Sequence, residues 1–200
     1  MKVVTTQKTS DRFNRDGILS TRSLVGIAFF TALTAVGGFI RIPIPPVPIT
    51  LQTLFVYVSG GLLGGRRGAL SQFVFLGVGL SGFPVFSMGG GLGYVLQPTF
   101  GYLLSFPLGA WIVGRLTRRD QEEGGWCRLL PPHIAGLATI HVIGVIYLYF
   151  ILNAVVGENT PWTHVVWCGS LLFLPGEAVK VMASILVIQK LRPIIKREVF

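Results

Sequence analysis

Charge is scarce in this chain and acid is scarcest: 8 Asp and Glu stand against 17 Lys and Arg, and charged residues are 12% of the total. That is about half the charged share of a soluble domain. With 51% hydrophobic residues, the exterior is not composed for water, and a soluble globular class is excluded. The 2 cysteines are too few for a thiolate zinc site, and no metal is expected. No Gly-Lys-Ser or Gly-Lys-Thr triplet occurs, so the chain does not hydrolyse ATP through a P-loop. No pair of carboxylates falls inside an apolar run, which removes the usual acid–base partners of an intramembrane enzyme. No enzyme activity and no cofactor are expected.

What is abundant is uncharged length. A helix needs about 20 predominantly apolar residues to cross the hydrocarbon core. Arg22 and Arg41 bracket the first such run, Ser23 to Ile40. The next, between Arg41 and Arg66, opens with Pro43, Pro45, Pro46 and Pro48. Proline removes donors and clashes with the preceding turn, so the second helix starts near Ile49. From Gly68 to Gly114 there is no charge at all. This run is too long for one helix and breaks at Gly89, Gly90 and Gly91, giving spans near Gly68 to Gly82 and Thr99 to Leu116. A fifth span runs from about Pro132 to Val156. A sixth, from about Pro161 to Leu191, carries Glu177 and Lys180 well inside it.

Basic residues near membrane segments accumulate on the cytoplasmic side. With the N-terminus inside and six spans threaded, fifteen of the 17 basic residues fall inside and only Arg41 outside, with Lys180 within the membrane. The predicted fold is therefore an all-α integral membrane protein with six transmembrane helices and both termini cytoplasmic. Residues 1–20 form an N-terminal tail, 21–192 the membrane domain and 193–200 a C-terminal tail. The first helix follows a basic lead-in, yet its apolar run is too long for an ordinary signal peptide and no small-x-small cleavage site follows, so it is read as retained. Topology and attraction to anionic membrane lipid account for the net charge of +9 without a nucleic-acid partner. Cys127 in a cytoplasmic loop and Cys168 toward the outer side cannot pair.

Gly79-Leu80-Ser81-Gly82 resembles the Gly-x-Ser-Gly of rhomboid intramembrane proteases. His141, the histidine deepest in a span, differs from Ser81 in depth by roughly 10–15 Å at 1.5 Å per residue, too far for a nucleophile–base pair. Ser81 and Gly82 are read as a helix end, and His141 as part of a packed interior.

Binding fits better, through three features that open toward the outside. The proline-rich segment from Ile42 to Gln52 is stiff and has little freedom to lose on binding. The loop Ser87 to Tyr94 carries Gly89, Gly90 and Gly91, whose backbone can take positive φ and approach a ligand closely. Glu177 and Lys180, three apart, share a helix face, and each intramembrane charge costs about 2.5–3.5 kcal/mol. Such charges mark function more often than mere self-neutralisation.

Those segments carry a specific resemblance. Ile44 to Thr53 (IPPVPITLQT), the glycine loop leading to Pro98 to Tyr102 (PTFGY), and Leu174 to Lys180 (LPGEAVK) resemble the BioY family in order and spacing. BioY proteins are biotin-specific substrate-binding (S) components of energy-coupling factor (ECF) transporters. The likeness covers the chain from about Leu24 onward. It implies a multi-pass cytoplasmic-membrane protein, biotin bound near the outer face, and uptake energised by a separate coupling subunit and two ATPase subunits. Three positions depart from the family pattern: Glu177 stands where Asp is usual, and Gln97 and Phe100 where Gly is common.

Under that resemblance, Glu177 accepts ureido N–H groups, and Lys180 or the amides of Gly89, Gly90 and Gly91 meet an oxygen. Tyr94 and Tyr102 flank the ring system, and Gln52 offers both donor and acceptor. Which end of biotin meets Lys180 stays open. Ala28 and Ala32 on the first helix resemble the small-residue motif by which S components dock the coupling subunit.

Overall fold

The computed structural model describes residues 20–117 and 125–199, with the backbone alone for 194–199. The expected N-terminal tail up to residue 19, and the loop carrying Arg118, Arg119 and Gln121, lie outside the described residues. Helices dominate: α1 (Thr21–Phe39), α2 (Gln52–Leu63), α3 (Gly65–Leu80), α4 (Phe100–Leu116), α5 (Trp126–Phe150), α6 (Trp162–Gly169) and α7 (Leu174–Val199). A ribbon of two short antiparallel strands, β1 (Arg41–Ile42) and β2 (Ile49–Thr50), joins α1 to α2. The prolines keep that segment out of a helix as expected, but the ribbon itself was not foreseen.

Among the described residues, three helical stretches are long and apolar enough to cross a bilayer alone: Thr21–Phe39, Trp126–Val156 and Trp162–Pro193. The first is opened by Ser20, whose hydroxyl accepts from the amide of Ser23 at 3.3 Å, one of the donors a helix start leaves over. Its buried side, Ile27, Phe30 and Thr34, recurs at helical spacing, while Val25, Phe29 and Val36 face outward. In lipid such an exposed apolar face needs no covering. The 12-residue α2, 16-residue α3 and 17-residue α4 are shorter, and the ribbon directly precedes α2.

Glycine sets how closely the short helices approach. A Cβ on Gly68 of α3 would come within 2.9 Å of the Cα of Gly60 on α2, so backbone lies on backbone at that crossing. Buried polar side chains pin the same layer. Gln72 Nε2 on α3 donates to Thr34 Oγ1 of α1 and Ser59 Oγ of α2, both at 3.3 Å.

One expectation needs correction. The last span is not one continuous helix carrying its charges mid-way. It breaks at Ser170 (φ −136°), passes through a 3₁₀ turn over Leu171–Phe173, and restarts as α7 at Leu174. Pro175 therefore sits in the first turn of α7, where its missing N–H is a donor without an intrahelical partner anyway. The fifth helix also starts earlier than expected, so Cys127 lies in the first turn of α5 rather than in a loop. At the C-terminus α7 continues through Pro193 to Val199, carrying helical backbone into the segment expected as a tail.

Candidate binding site

The break before α7 delivers Glu177 to the first turn of that helix, where a negative charge is favoured by the dipole and by unpaired N–H groups. Lys180 follows one turn later. Both are buried, 4% and 7% exposed, and they form a direct ion pair, Lys180 Nζ to Glu177 Oε1. A buried pair holds only when its remaining donors and acceptors are met, and here α2 meets them. Thr53 Oγ1 donates to Glu177 Oε1 at 3.0 Å and Tyr57 OH donates to Glu177 Oε2 at 3.0 Å. Lys180 Nζ donates to Thr53 Oγ1 at 2.8 Å and to the carbonyl of Thr50 at 2.9 Å.

An ammonium carries three donors, and Glu177, Thr53 and Thr50 take all three. Glu177 keeps one acceptor direction free, on Oε2. Thr53 and Tyr57 were not singled out in the sequence, because hydroxylated residues in an apolar helix carry no pattern of their own. Their spacing of four from one another places them on one face of α2, and a search for hydroxyls on the face opposite an intramembrane charge would have found them.

Gln52 enters the same site at the start of α2. Glycines 37 and 38 at the end of α1 let α2 begin against it: a Cβ on Gly37 would lie 3.1 Å from the backbone N of Gln52. The Gln52 side chain is 2% exposed. Its Oε1 accepts from Thr50 Oγ1 at 3.2 Å, while Nε2 has no partner.

Thr50, Gln52, Thr53, Glu177 and Lys180 line one cavity with Pro48, Tyr102, Phe106, His141 and Phe173, while Tyr57 stands behind Glu177. It is narrow, with a volume of about 50 Å³. A ligand must therefore part the walls. Tyr102 is fixed by donating to the carbonyl of Gly169 at 2.6 Å, with the His141 ring edge-on at 6.0 Å. His141 thus packs as expected and also lines the cavity, with Nδ1 unpartnered.

The structure brings Gln52, Tyr102, Glu177 and Lys180 together, and leaves the other candidates outside the wall. Tyr94 stands one layer back: its hydroxyl meets Ser87 Oγ at 3.3 Å and accepts from Thr99 Oγ1 at 3.2 Å, and Ser87 and Thr99 do line the cavity. Gly89 and Gly91 adopt φ of 123° and 96°, the positive values that favour glycine. Their amides turn inward, Gly89 N to Phe86 O at 3.3 Å and Gly91 N to Gly79 O at 2.7 Å. Gly90 packs against the carbonyl of Phe83. The three glycines close over the end of α3 and do not line the cavity. Ala28 and Ala32 lie exposed on α1, on no wall of the cavity. Ser81 ends α3, its hydroxyl donating to the carbonyls of Gly77 and Val78 at 2.8 and 2.9 Å, as expected of a helix terminus.

Known proteins resemble this chain in sequence and fold. The profile of the BioY family matches residues 6–197. A probable biotin transporter BioY of Lysinibacillus sphaericus is 46% identical over 172 residues, 86% of this chain and 87% of that protein. The biotin transporter BioY of Thermotoga maritima is 40% identical over 133 residues, 66% of this chain and 77% of that protein. Among solved structures, the S component for biotin from an ECF-type ABC transporter superposes with a TM-score of 0.64 at 28% identity, covering 86% of this chain and 91% of that one.

Proposed function

The chain belongs to the BioY family, and on that premise we infer that it is a biotin transporter of the cell membrane, the substrate-binding S component of an ECF system. It captures and carries biotin without making or breaking a bond. The observation that carries this reading is the inventory of unmet groups in the cavity. Lys180 has no free donor, Glu177 Oε2 has one free acceptor direction, and Gln52 Nε2 has free donors. A ureido ring offers N–H donors to the first and a carbonyl to the second. Tyr102, Phe106 and Phe173 provide apolar surface for the fused ring system. The ureido head therefore lies inward at Glu177, and the valerate tail points to the mouth. Isothermal titration of biotin into the detergent-purified chain tests this: saturable 1:1 binding is expected, and its absence defeats the reading.

The six-span topology belongs to the same proposal. Helices α1 to α5 supply five crossings and the broken pair α6–α7 the sixth, with both termini in the cytoplasm. Residues 21–192 then form one membrane domain between tails 1–20 and 193–200. A cysteine replacing the exposed Met88 of the glycine loop is expected to react with a membrane-impermeant thiol reagent in intact cells, and one at Gln121 to stay unlabelled. Reversed labelling would invert the assignment.

Energy for uptake comes from partners, a transmembrane coupling subunit and two ATPase subunits. Ala28 and Ala32 present a small, exposed stripe on α1 that a partner helix can approach closely. Replacing both by Leu is expected to weaken co-purification with the coupling subunit at least severalfold and to leave biotin affinity unchanged. Lost affinity with assembly intact would assign the stripe to this chain's own packing.

A further inference from the structure

Helix α2 packs on both α1 and α7, and the space left between those two is a groove of about 540 Å³. Its lining is apolar except at one end. Val58 of α2, 5% exposed, forms the floor, and Leu33 and Val187 stand on the walls of α1 and α7. The exception is Arg22, in the first turn of α1. Leu63 of α2 and Leu191 of α7 line the same end. There Gly26 lets α1 close on α2: a Cβ on it would come within 2.9 Å of Leu63 Cδ2.

Arg22 is exposed, and among the described residues no hydrogen bond or ion pair holds its guanidinium. Neither α1 nor α2 carries an acid, and Glu177, the acid among the described side chains of α7, is held by Lys180. Lys190, exposed and next to Leu191, adds a second positive charge at that end.

The depth of the groove says what fills it. From Arg22 to Leu33 α1 rises roughly 17 Å at about 1.5 Å per residue, and one leaflet contributes roughly 15 Å of the hydrocarbon core. A transmembrane partner helix would run the full thickness, whereas an acyl chain ends at the midplane. Water does not occupy an apolar space of this kind. Residues 1–19, with Lys2, Lys8, Arg12 and Arg15, are too polar and too basic to lie in it beside Arg22.

We propose that the groove is a site for one anionic glycerophospholipid, an acyl chain lying between α1 and α7 and the phosphate received by Arg22. A guanidinium takes a phosphate through two parallel hydrogen bonds, and basic residues beside membrane helices favour anionic lipid. In a zwitterionic lipid the headgroup cation offsets that attraction. The site stands apart from the biotin reading, since it shares no lining residue with the cavity of Glu177. Ala28 and Ala32 lie on no wall of it either.

The test titrates dioleoylphosphatidylglycerol and dioleoylphosphatidylcholine into the delipidated chain in detergent and counts bound lipid by native mass spectrometry. A cooperative thermal transition certifies each variant as folded. Wild type is expected to hold one phosphatidylglycerol about fivefold more tightly than phosphatidylcholine, the worth of one basic residue near an anionic headgroup. Arg22→Gln is expected to bring the two lipids within twofold. Leu33→Trp, which blocks the deep end, is expected to weaken both. Equal binding of the two lipids by wild type, or a preference that survives Arg22→Gln, would overturn the site. Unchanged lipid binding in Leu33→Trp would do the same, and with co-purification of the coupling subunit lost in that variant it would hand the groove to that partner. Should Arg22→Gln fail to fold, wild type decides through salt: a preference undiminished at high salt, or none at low salt, rejects the phosphate contact.

Discussion

Exchanging Glu177 for Gln and Lys180 for Met together is expected to give a protein that folds and binds biotin ten- to a hundredfold more weakly than wild type. The single change Glu177→Gln is expected to be the more damaging to stability. It leaves the Lys180 ammonium buried with the carbonyl of Thr50 and the hydroxyl of Thr53 but no counter-charge. Breaking a buried pair from one side costs about 3–5 kcal/mol. Removing both charges relieves that penalty, so the double variant should melt near wild type. Binding does not recover with it, because the ligand's N–H groups lose an ionised acceptor that Thr53 and Tyr57 hold in place. A charge-assisted hydrogen bond is worth about 1.5–3 kcal/mol, which sets the fold-change above. Thermal unfolding and biotin titration on the same preparations separate the two effects. Near-native affinity in the double variant would leave Glu177–Lys180 a purely structural pair.

How much of this was legible beforehand varies with the kind of signal. Charge gaps located the helical segments well, because an interior charge is expensive and basic residues mark span ends. Gly68 to Gly114 split at the glycine loop as expected, and the loop's positive φ values at Gly89 and Gly91 agree with the residue type. Its inward-turned amides were not legible, since glycine permits close approach without saying to what. The break at Ser170 was hidden because the run from Val165 to Leu174 carries no charge and only Gly169-Ser170 interrupts it, and Pro175 reads equally as a kink or as a helix start.

At the site, Glu177, Lys180 and Gln52 stood out as polar groups in apolar surroundings. Thr53 and Tyr57 did not, for each is common in membrane helices and becomes informative only once α2 is laid against α7. Arg41 was visible as the basic residue that closes the first uncharged run, and its place beside a proline-lined cavity depended on a ribbon of two-residue strands that is too short to leave a periodic trace.

The largest effect of packing on binding is expected at a position with no side chain. Helices α4 and α5 interlock through two reciprocal fits: Tyr147 of α5 lies on Gly101 of α4, and Tyr102 of α4 lies on Gly144 of α5. Each ring is then anchored through its hydroxyl, Tyr147 to the carbonyl of Val95 and Tyr102 to that of Gly169. A Cβ on Gly144 would overlap the Tyr102 ring, so Gly144→Val must drive that ring out of place and into the cavity it lines. Overpacking of this kind costs about 1–3 kcal/mol, and the broken bond to Gly169 adds about 1 kcal/mol, which should appear as a clear fall in melting temperature. Biotin affinity is expected to fall by more than tenfold, because the displaced ring takes up space in a site that is already narrow. Adding Tyr102→Leu to Gly144→Val reopens room at the crossing and is expected to restore much of the stability. It should leave affinity low, since the aromatic wall is gone. Full recovery of binding in that double variant would reduce Tyr102 to a spacer, and wild-type affinity in Gly144→Val alone would show that the site does not depend on where this ring stands.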